Sequence, residues 1–320
     1  MSDDNEVIKE QSGVQSLIPS KTPGYVAFGE FETVFSIVKS AIFYPTFITG
    51  LSGNGKSLMV REVCARSQRQ YIRLNVTAET DEDDLLGGFR LEVSGGASKT
   101  AFKYGPVITA MRTGSVLLLD EIDCGTPKLM CLQPILEGEP VYLKKTNQII
   151  HPAPGFNIIA CANTKGRGDD AGKFVGTNML NEAFLERFAI TIEQDYPDES
   201  TERKILMKVM ESVLPTAPDR DDEGFVKCLV QWAASLRTSY NEGVLQDVIT
   251  TRRLVLIVKS YAIFKKDRKK CMELGVARFD KDTKEAFLTH YSNVDAAFRS
   301  ANKSSTSSTS SGKSSRMTPF

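Results

Sequence analysis

The chain has 320 residues, 41% of them hydrophobic and 25% charged, a composition that argues against a disordered chain and is long enough for two modest domains. Lys plus Arg and Asp plus Glu each number 40, so the overall balance gives no ground for nonspecific affinity toward nucleic acid or an anionic membrane. No apolar run reaches the roughly 18 residues needed to cross a bilayer, and "MSDDNEVIKE" is acidic where a secretory signal would be basic. With six scattered cysteines and no C-x-x-C pair, the expected compartment is the cytoplasm, with reduced thiols in the core.

In chain order, residues 1–24 read as a polar arm. From 25 to 197 the short apolar runs "PTFITG", "YIRLNV", "SVLLLDEID", "FNIIACAN" and "FAITIE" read as strands that alternate with amphipathic stretches. Such runs suit a parallel sheet buried by helices on both faces, an α/β fold. From 198 to 300 the pattern turns helical, through "DESTERKILMKVMESV", "FVKCLVQWAASLRTSY", one long helix over "TTRRLVLIVKSYAIFKKDRKKCMEL" and a last one over "TKEAFLTHYSNVDAAF", which predicts a small all-helical domain. Residues 301–320 form a serine-rich tail that is expected to be disordered.

The stretch "GLSGNGKS" follows the first strand and precedes the helical "SLMVREVCARSQ". It fits the phosphate-cradling pattern G-x-x-x-x-G-K-[ST]. Gly50, Gly53 and Gly55 let the backbone turn so that the N–H groups from Gly50 through Ser52, Asn54 and Lys56 to Leu58 face an anion. Lys56 is placed to reach β- and γ-phosphates, and the Ser57 hydroxyl to ligate Mg²⁺. Downstream, Val116–Leu119 form a buried strand that delivers Asp120 and Glu121 to the sheet edge. One carboxylate there suits the Mg²⁺ shell and the other the attacking water, so the pair reads as an ATP-hydrolysing site with ATP and Mg²⁺ as ligands.

Asn163, at the tip of "FNIIACAN", either senses the γ-phosphate and positions water or simply forms a turn. In "LNEAFLERFAITIE", Leu180, Ala183, Phe184, Phe188 and Ile190 suit a core. Arg187 is left to project into a neighbouring subunit's nucleotide or to make a surface ion pair. Arg252 and Arg253 open a helix, where positive charge gains nothing from the helix dipole, and one of them is a candidate phosphate contact. His151 and His290 form no cluster with cysteines and read as structural.

Together, "GLSGNGKS", "SVLLLDEID", "ACANTKGRGDDAGKFVGTNMLNEAFLERF" and "TTRRLV" resemble the AAA+ ATPases of the MoxR group, and among these the CobS type of aerobic cobaltochelatase. The likeness runs from about Tyr25 to about Lys259 and leaves the serine-rich tail uncovered. The resemblance implies an AAA+ P-loop NTPase domain followed by a helical lid. It further implies Lys56 and Ser57 as Walker A, Asp120 and Glu121 as Walker B, Asn163 as sensor 1, Arg187 as a trans-acting arginine finger, and Arg252 as sensor 2 with Arg253 in reserve. It also implies a homo-oligomeric, usually hexameric ring that remodels a protein partner, often one with a von Willebrand factor A domain; no membrane partner is expected, since no apolar run is long enough to span one. Two inserts are expected, a loop within "LLGGFRLEVSGGASKTAFKYGP" and a β-hairpin in "EPVYLKKTNQIIHP". Three alternatives stay open: a nucleic-acid-linked motor using the basic "LKKTNQ" and "FKKDRKK", a nucleotide-gated scaffold that binds ATP and hardly turns it over, and the cobaltochelatase ATPase subunit itself.

Overall fold

The computed structural model describes residues 17–94, 97–166, 168 and 176–299. Most of the expected N-terminal arm and all of the serine-rich tail lie outside the described residues. The chain divides into two compact units, Met1–Asp195 and Tyr196–Phe320.

The first unit is built on strands β1 (Thr46–Thr49), β2 (Tyr71–Asn75), β5 (Val116–Asp120), β8 (Asn157–Ala162) and β9 (Ile190–Glu193). They form one parallel sheet in the order β2-β5-β8-β1-β9. Alternation explains why these runs are apolar throughout: Leu117 and Leu119 of β5 join one buried cluster with Ile158 and Ala160, while Val116 and Leu118 join another with Ile159 and Cys161. Each face of the sheet is therefore covered, and each residue of the strand has a core to enter. Helices α1 (Phe31–Ser40) and α2 (Lys56–Ser67) cover one face through Val34, Val38, Met59, Val60 and Val63.

The other face is covered by α4 (Pro106–Thr113), through Val107, Ile108 and Met111, and by Leu129, Leu132 and Ile135 around the short helix α5 (Gln133–Leu136). Short helices α3 (Glu82–Leu85) and α6 (Glu182–Leu185) complete the unit. In α6, Phe184 is buried and Leu185 half-buried, whereas Ala183, expected in the core, is exposed. A four-residue helix buries one side only, and Ala183 falls on the other.

Two hairpins stand out from this frame. The segment expected as a loop is instead an antiparallel pair, β3 (Gly87–Ser94) and β4 (Ala97–Tyr104), with Phe89 opposite Phe102 and Leu91 opposite Thr100. Its period-two alternation overrides the glycines at its start, where Gly87 has φ +121° and a side chain would strike the Lys103 carbonyl. Phe102 and Tyr104 pack against the core, while Phe89 and Leu91 are exposed. The second hairpin, β6 (Val141–Leu143) with β7 (Gln148–Ile150), forms where one was expected.

The second unit is helical: α7 (Glu199–Val213), α8 (Arg220–Asn241), α9 (Thr251–Ile263), α10 (Arg268–Gly275) and α11 (Lys281–Val294). All five begin at a side-chain cap, from Asp198, Asp219, Thr250, Asp267 and Asp280 in turn. Trp232, Tyr261, Phe287 and Tyr291 fill the centre, and a buried Glu202 takes a bidentate bond from Arg237 at 2.8 and 2.9 Å. The single helix expected from Thr250 to Leu274 is broken. Lys265 and Lys266 adopt left-handed backbone, φ +53° and +67°, and the Lys266 ammonium meets Asp222 and Asp219 at the start of α8, at 2.8 and 3.0 Å. Asp267 then caps a new helix.

Candidate active site

Three neighbouring strands present their carboxyl ends together. Thr49 of β1 stands opposite Ala162 of β8, and Asp120 of β5 opposite Cys161. The loop after β1, the acidic pair after β5 and Asn163 after β8 therefore meet at one edge, where open parallel sheets bind ligands.

The loop makes its turn on left-handed glycines: Gly53 has φ +73° and Gly55 +94°. Gly50, at φ +147°, has the Gln194 carbonyl so close that a Cβ would sit 2.1 Å from it. The buried Asn54 side chain donates to that same carbonyl and fixes the loop against the end of β9. Gly55 begins α2 without any side-chain cap, so the first N–H groups of a twelve-residue helix are presented to the loop's concave side. Ser52 and Leu58 are exposed.

Lys56 is buried, at 6% exposure. Its ammonium donates to the carbonyls of Gly50 and Leu51 at 2.6 and 3.1 Å, and reaches Asn54 Oδ1 at 3.4 Å and Asn163 Oδ1 at 3.3 Å. Its positive charge thus lies inside the loop, against the tip of β8. Ser57 Oγ donates to Asp120 Oδ1 at 2.8 Å. A hydroxyl and a carboxylate in contact make a hard-oxygen pair of the kind Mg²⁺ selects, so the residues fit that ion. Glu121 is exposed and sits in left-handed backbone, φ +58°. That conformation costs a non-glycine residue on the order of 1 kcal/mol, and it turns the glutamate out of the strand direction at the sheet edge.

Two charged residues that sequence reasoning missed belong to the same place. Arg73 of β2 pairs with Asp120 Oδ2 at 2.6 Å. The only signal in the sequence was a lone arginine inside the apolar "YIRLNV". Asp123, fourth in "DEID", is fully buried and accepts from the backbone N–H groups of Asn163 and Thr164, each at 2.9 Å.

Arg187 lies away from this edge of the sheet, and Arg252 belongs to the second unit. Arg187 precedes β9, and Ile190 stands opposite Thr46, so Arg187 lies beyond the amino-terminal edge of the sheet. A four-residue strand, roughly 13 Å, separates that edge from the loop. There Arg187 Nε donates to Glu137 Oε1 at 2.7 Å, and its guanidinium also donates to the Ala183 carbonyl. Arg252 is exposed on the first turn of α9, in the second unit. Beside it, Arg253 is half-buried, and burial, aided by the charge of Arg278, lowers its pKa. Residues 167 and 169–175, inside the stretch that carries most of the resemblance, lie outside the described residues. No cluster of three or more His, Cys, Asp or Glu side chains able to hold a metal occurs among the described residues.

Aerobic cobaltochelatase subunit CobS from Sinorhizobium sp. is 29% identical over 249 residues, 77% of this chain and 74% of that protein. An uncharacterised protein of Staphylococcus saprophyticus is 26% identical over 239 residues, 72% of this chain and 83% of its own. Likeness to solved structures is weaker: NtrX from Brucella abortus has a TM-score of 0.49 at 17% identity, covering 77% of this chain and 53% of that one. Residues 45–188, which span the loop, the acidic strand, Asn163 and Arg187, match the AAA domain (dynein-related subfamily). Residues 45–188 are thus similar to an AAA domain, within a chain that over most of its length is similar to CobS.

Proposed function

We propose that the protein is an ATP-hydrolysing motor of the cytoplasm that assembles into a ring, usually of six subunits, and remodels or activates a protein partner. The observation that carries the reading is the convergence of Lys56, Ser57, Asp120 and Asn163 at one sheet edge, linked by the Ser57–Asp120 and Lys56–Asn163 hydrogen bonds.

In this reading the backbone from Gly50 to Leu58 wraps the phosphates, and Lys56 places its charge against the β- and γ-phosphate oxygens. Mg²⁺, once bound, neutralises charge on those oxygens, held by Ser57 and the Asp120 shell. Glu121 accepts the proton of the attacking water, and Asn163 orients that water. Arg187, remote from its own subunit's loop, stabilises the transferred charge in the neighbour's site. Arg252 is the proposed second sensor, with Arg253 as its substitute.

A protein partner is favoured over nucleic acid because part of the charge on the basic stretches is already paired: Lys145 pairs with Asp83, Lys266 with Asp219 and Asp222, and Arg268 with Asp221 and Asp295. Salt-dependent binding to phosphates needs unpaired cations. The exposed Phe89 and Leu91 on the first hairpin, and Tyr142 and Ile149 on the second, suit a protein surface such as a von Willebrand factor A domain. The six free thiols agree with a reducing compartment.

The test is ATP turnover and solution mass measured on the same sample. Turnover that rises as the ring assembles with ATP, and that responds to a co-purified protein but not to DNA or RNA, is the expected result. A monomer in saturating ATP rules out the ring, and stimulation by nucleic acid alone rules out the protein partner.

A further inference from the structure

Asp123 occupies the short 3₁₀ turn Ile122–Cys124 that directly follows Glu121, and its side chain is completely buried. One carboxylate oxygen, Oδ2, does all the bonding. It accepts from the N–H of Asn163 at 2.9 Å, from the N–H of Thr164 at 2.9 Å and from the Thr164 hydroxyl at 3.0 Å. The other, Oδ1, is buried with no hydrogen-bond partner among the described residues.

This is an expensive arrangement. A buried carboxylate costs far more desolvation than an amide, and an unsatisfied oxygen adds to that cost. Asparagine would offer the same acceptor to the same three donors. What a carboxylate adds is strength, since bonds from backbone N–H groups to an ionised acceptor are shorter and roughly twice as strong as those to a neutral one. The strength is spent at one spot, the first two residues beyond β8, one of which is Asn163. The Asn163 side chain in turn accepts from Lys56 at 3.3 Å, so an unbroken path runs from the turn after Glu121, through Asp123 and Asn163, to the phosphate loop.

We propose that Asp123 is a positioning residue for ATP hydrolysis: its carboxylate fixes Asn163 relative to the turn that carries Glu121, so that the base and the water-orienting amide hold one separation across the γ-phosphate. The proposal rests on the reading of Asn163 given above. The main chain of the same turn is tethered a second time, by the Asn178 N–H to the Asp123 carbonyl at 2.6 Å and by the Asn178 amide to the carbonyls of Cys124 and Gly125 at 3.2 and 3.1 Å. The turn therefore keeps its own anchor when the carboxylate is altered, and the tip of β8 is the part that is released.

The experiment is a double-mutant cycle in the full-length, assembled protein, using Asp123→Asn, Asp123→Ala, Asn163→Ala and the two combinations. It reads kcat, the Kd of a fluorescent ATP analogue, and amide hydrogen exchange in the peptide containing Asn163 and Thr164. Expected are a loss in kcat of about tenfold or more in Asp123→Asn, a Kd within about twofold of wild type, and faster exchange at Asn163 and Thr164. In the Asn163→Ala background the same change should alter kcat less than about twofold. Asp123→Asn is nearly isosteric and decides the matter if Asp123→Ala does not fold. Wild-type kcat in Asp123→Asn, or losses that simply multiply in the double variant, overturns the proposal while leaving Asn163 in its role. Wild-type kcat in Asn163→Ala overturns the reading of Asn163, and this proposal falls with it.

Discussion

Arg73 and Asp120 form an ion pair of 2.6 Å at the carboxyl edge of the sheet, on the side of the carboxylate opposite to the one that Ser57 engages. The Asp120 side chain is only 6% exposed while that of Arg73 is 51% exposed, so the arginine neutralises a buried charge from a half-solvated position. Removing it leaves that charge without its cation. Arg73→Ala should lower the stability of the metal-free protein by about 1–3 kcal/mol, less than for a fully buried pair because Arg73 is solvent-screened. Mg²⁺ with ATP should restore much of the loss, by supplying another cation to Asp120. Thermal unfolding in chelator and in Mg²⁺–ATP checks this. An equal deficit in both conditions would show that Arg73 does not share its place with the metal.

Lys56→Ala and Glu121→Gln should fail in different ways. Loss of the Lys56 ammonium removes a charge-assisted contact to the phosphates, of about 1.5–3 kcal/mol, and should weaken ATP binding about 10- to 100-fold. Glu121→Gln keeps the loop intact and should retain binding while kcat falls by a factor on the order of 10² to 10⁴. Equilibrium binding and single-turnover hydrolysis separate the two. Wild-type turnover in Glu121→Gln would remove Glu121 from its role as base.

The five parallel strands and the phosphate loop were legible because local signals coincide there: apolar runs of strand length, glycines at the turn, and a lysine and serine at fixed spacing. Arg73 and Asp123 were not legible, because their roles come from register. Arg73 meets Asp120 only since β2 pairs with β5, Asn75 standing opposite Asp120, and no local pattern encodes that pairing. The hairpin of β3 and β4 is less legible, because the glycine pairs Gly87–Gly88 and Gly95–Gly96 in the sequence weigh against an alternation that the strands follow. The break between α9 and α10 contains neither glycine nor proline. It falls where Lys265 and Lys266 take left-handed backbone and Asp267 caps α10, beside the Lys266 contacts to Asp219 and Asp222, which helix propensity does not register.

Asp198 caps α7 and accepts from the Thr201 N–H at 2.9 Å, and this bond, with those from the Ser200 and Thr201 hydroxyls, lowers its pKa to about 2. A carboxylate depressed in the folded state contributes stability above its unfolded pKa of about 3.9, and the contribution is lost as pH falls through the folded value. Asp198→Ala should therefore destabilise the helical unit by about 1 kcal/mol at pH 7. The difference from wild type should shrink between pH 4 and pH 2 and vanish below about pH 2. Chemical denaturation across that range is the measurement, and a pH-independent difference would mean that the cap does not act through its charge.

Arg187 is held by Glu137 at the sheet edge farthest from its own phosphate loop, and the action proposed for it in a neighbouring site predicts a specific pattern of loss and recovery. Arg187→Ala should reduce kcat by a factor on the order of 10³ with little change in ATP affinity. Mixing Arg187→Ala with Lys56→Ala subunits should recover activity, since the first offers an intact pocket and the second an intact arginine. In rings mixed at random from equal amounts, one half times one half, about a quarter of the interfaces, would be complete. No recovery in rings shown to be mixed would assign Arg187 to the Glu137 pair alone. Glu137→Gln should leave stability within about 1 kcal/mol, because the pair is partly exposed to solvent.

Phe89 and Leu91 project from β3 with 52% and 69% exposure, and Phe89 meets Phe102 edge-on at 5.5 Å between ring centres. Phe102 and Tyr104 on the opposite strand are the ones packed against the core. The hairpin is thus anchored through β4 and presents the apolar side chains of β3 outward, an unfavourable exposure that covering by a partner would relieve. Phe89→Ala combined with Leu91→Ala should cost less than about 1 kcal/mol of stability, as expected for exposed side chains. It should leave basal ATP hydrolysis and assembly near wild type and abolish stimulation by the partner protein. Thermal unfolding, solution mass and ATPase assays with and without that protein provide the check. If the double variant unfolds or loses basal turnover, these side chains support the domain itself, and the contact surface has to be sought on the second hairpin, where Tyr142 and Ile149 stand opposite one another and exposed.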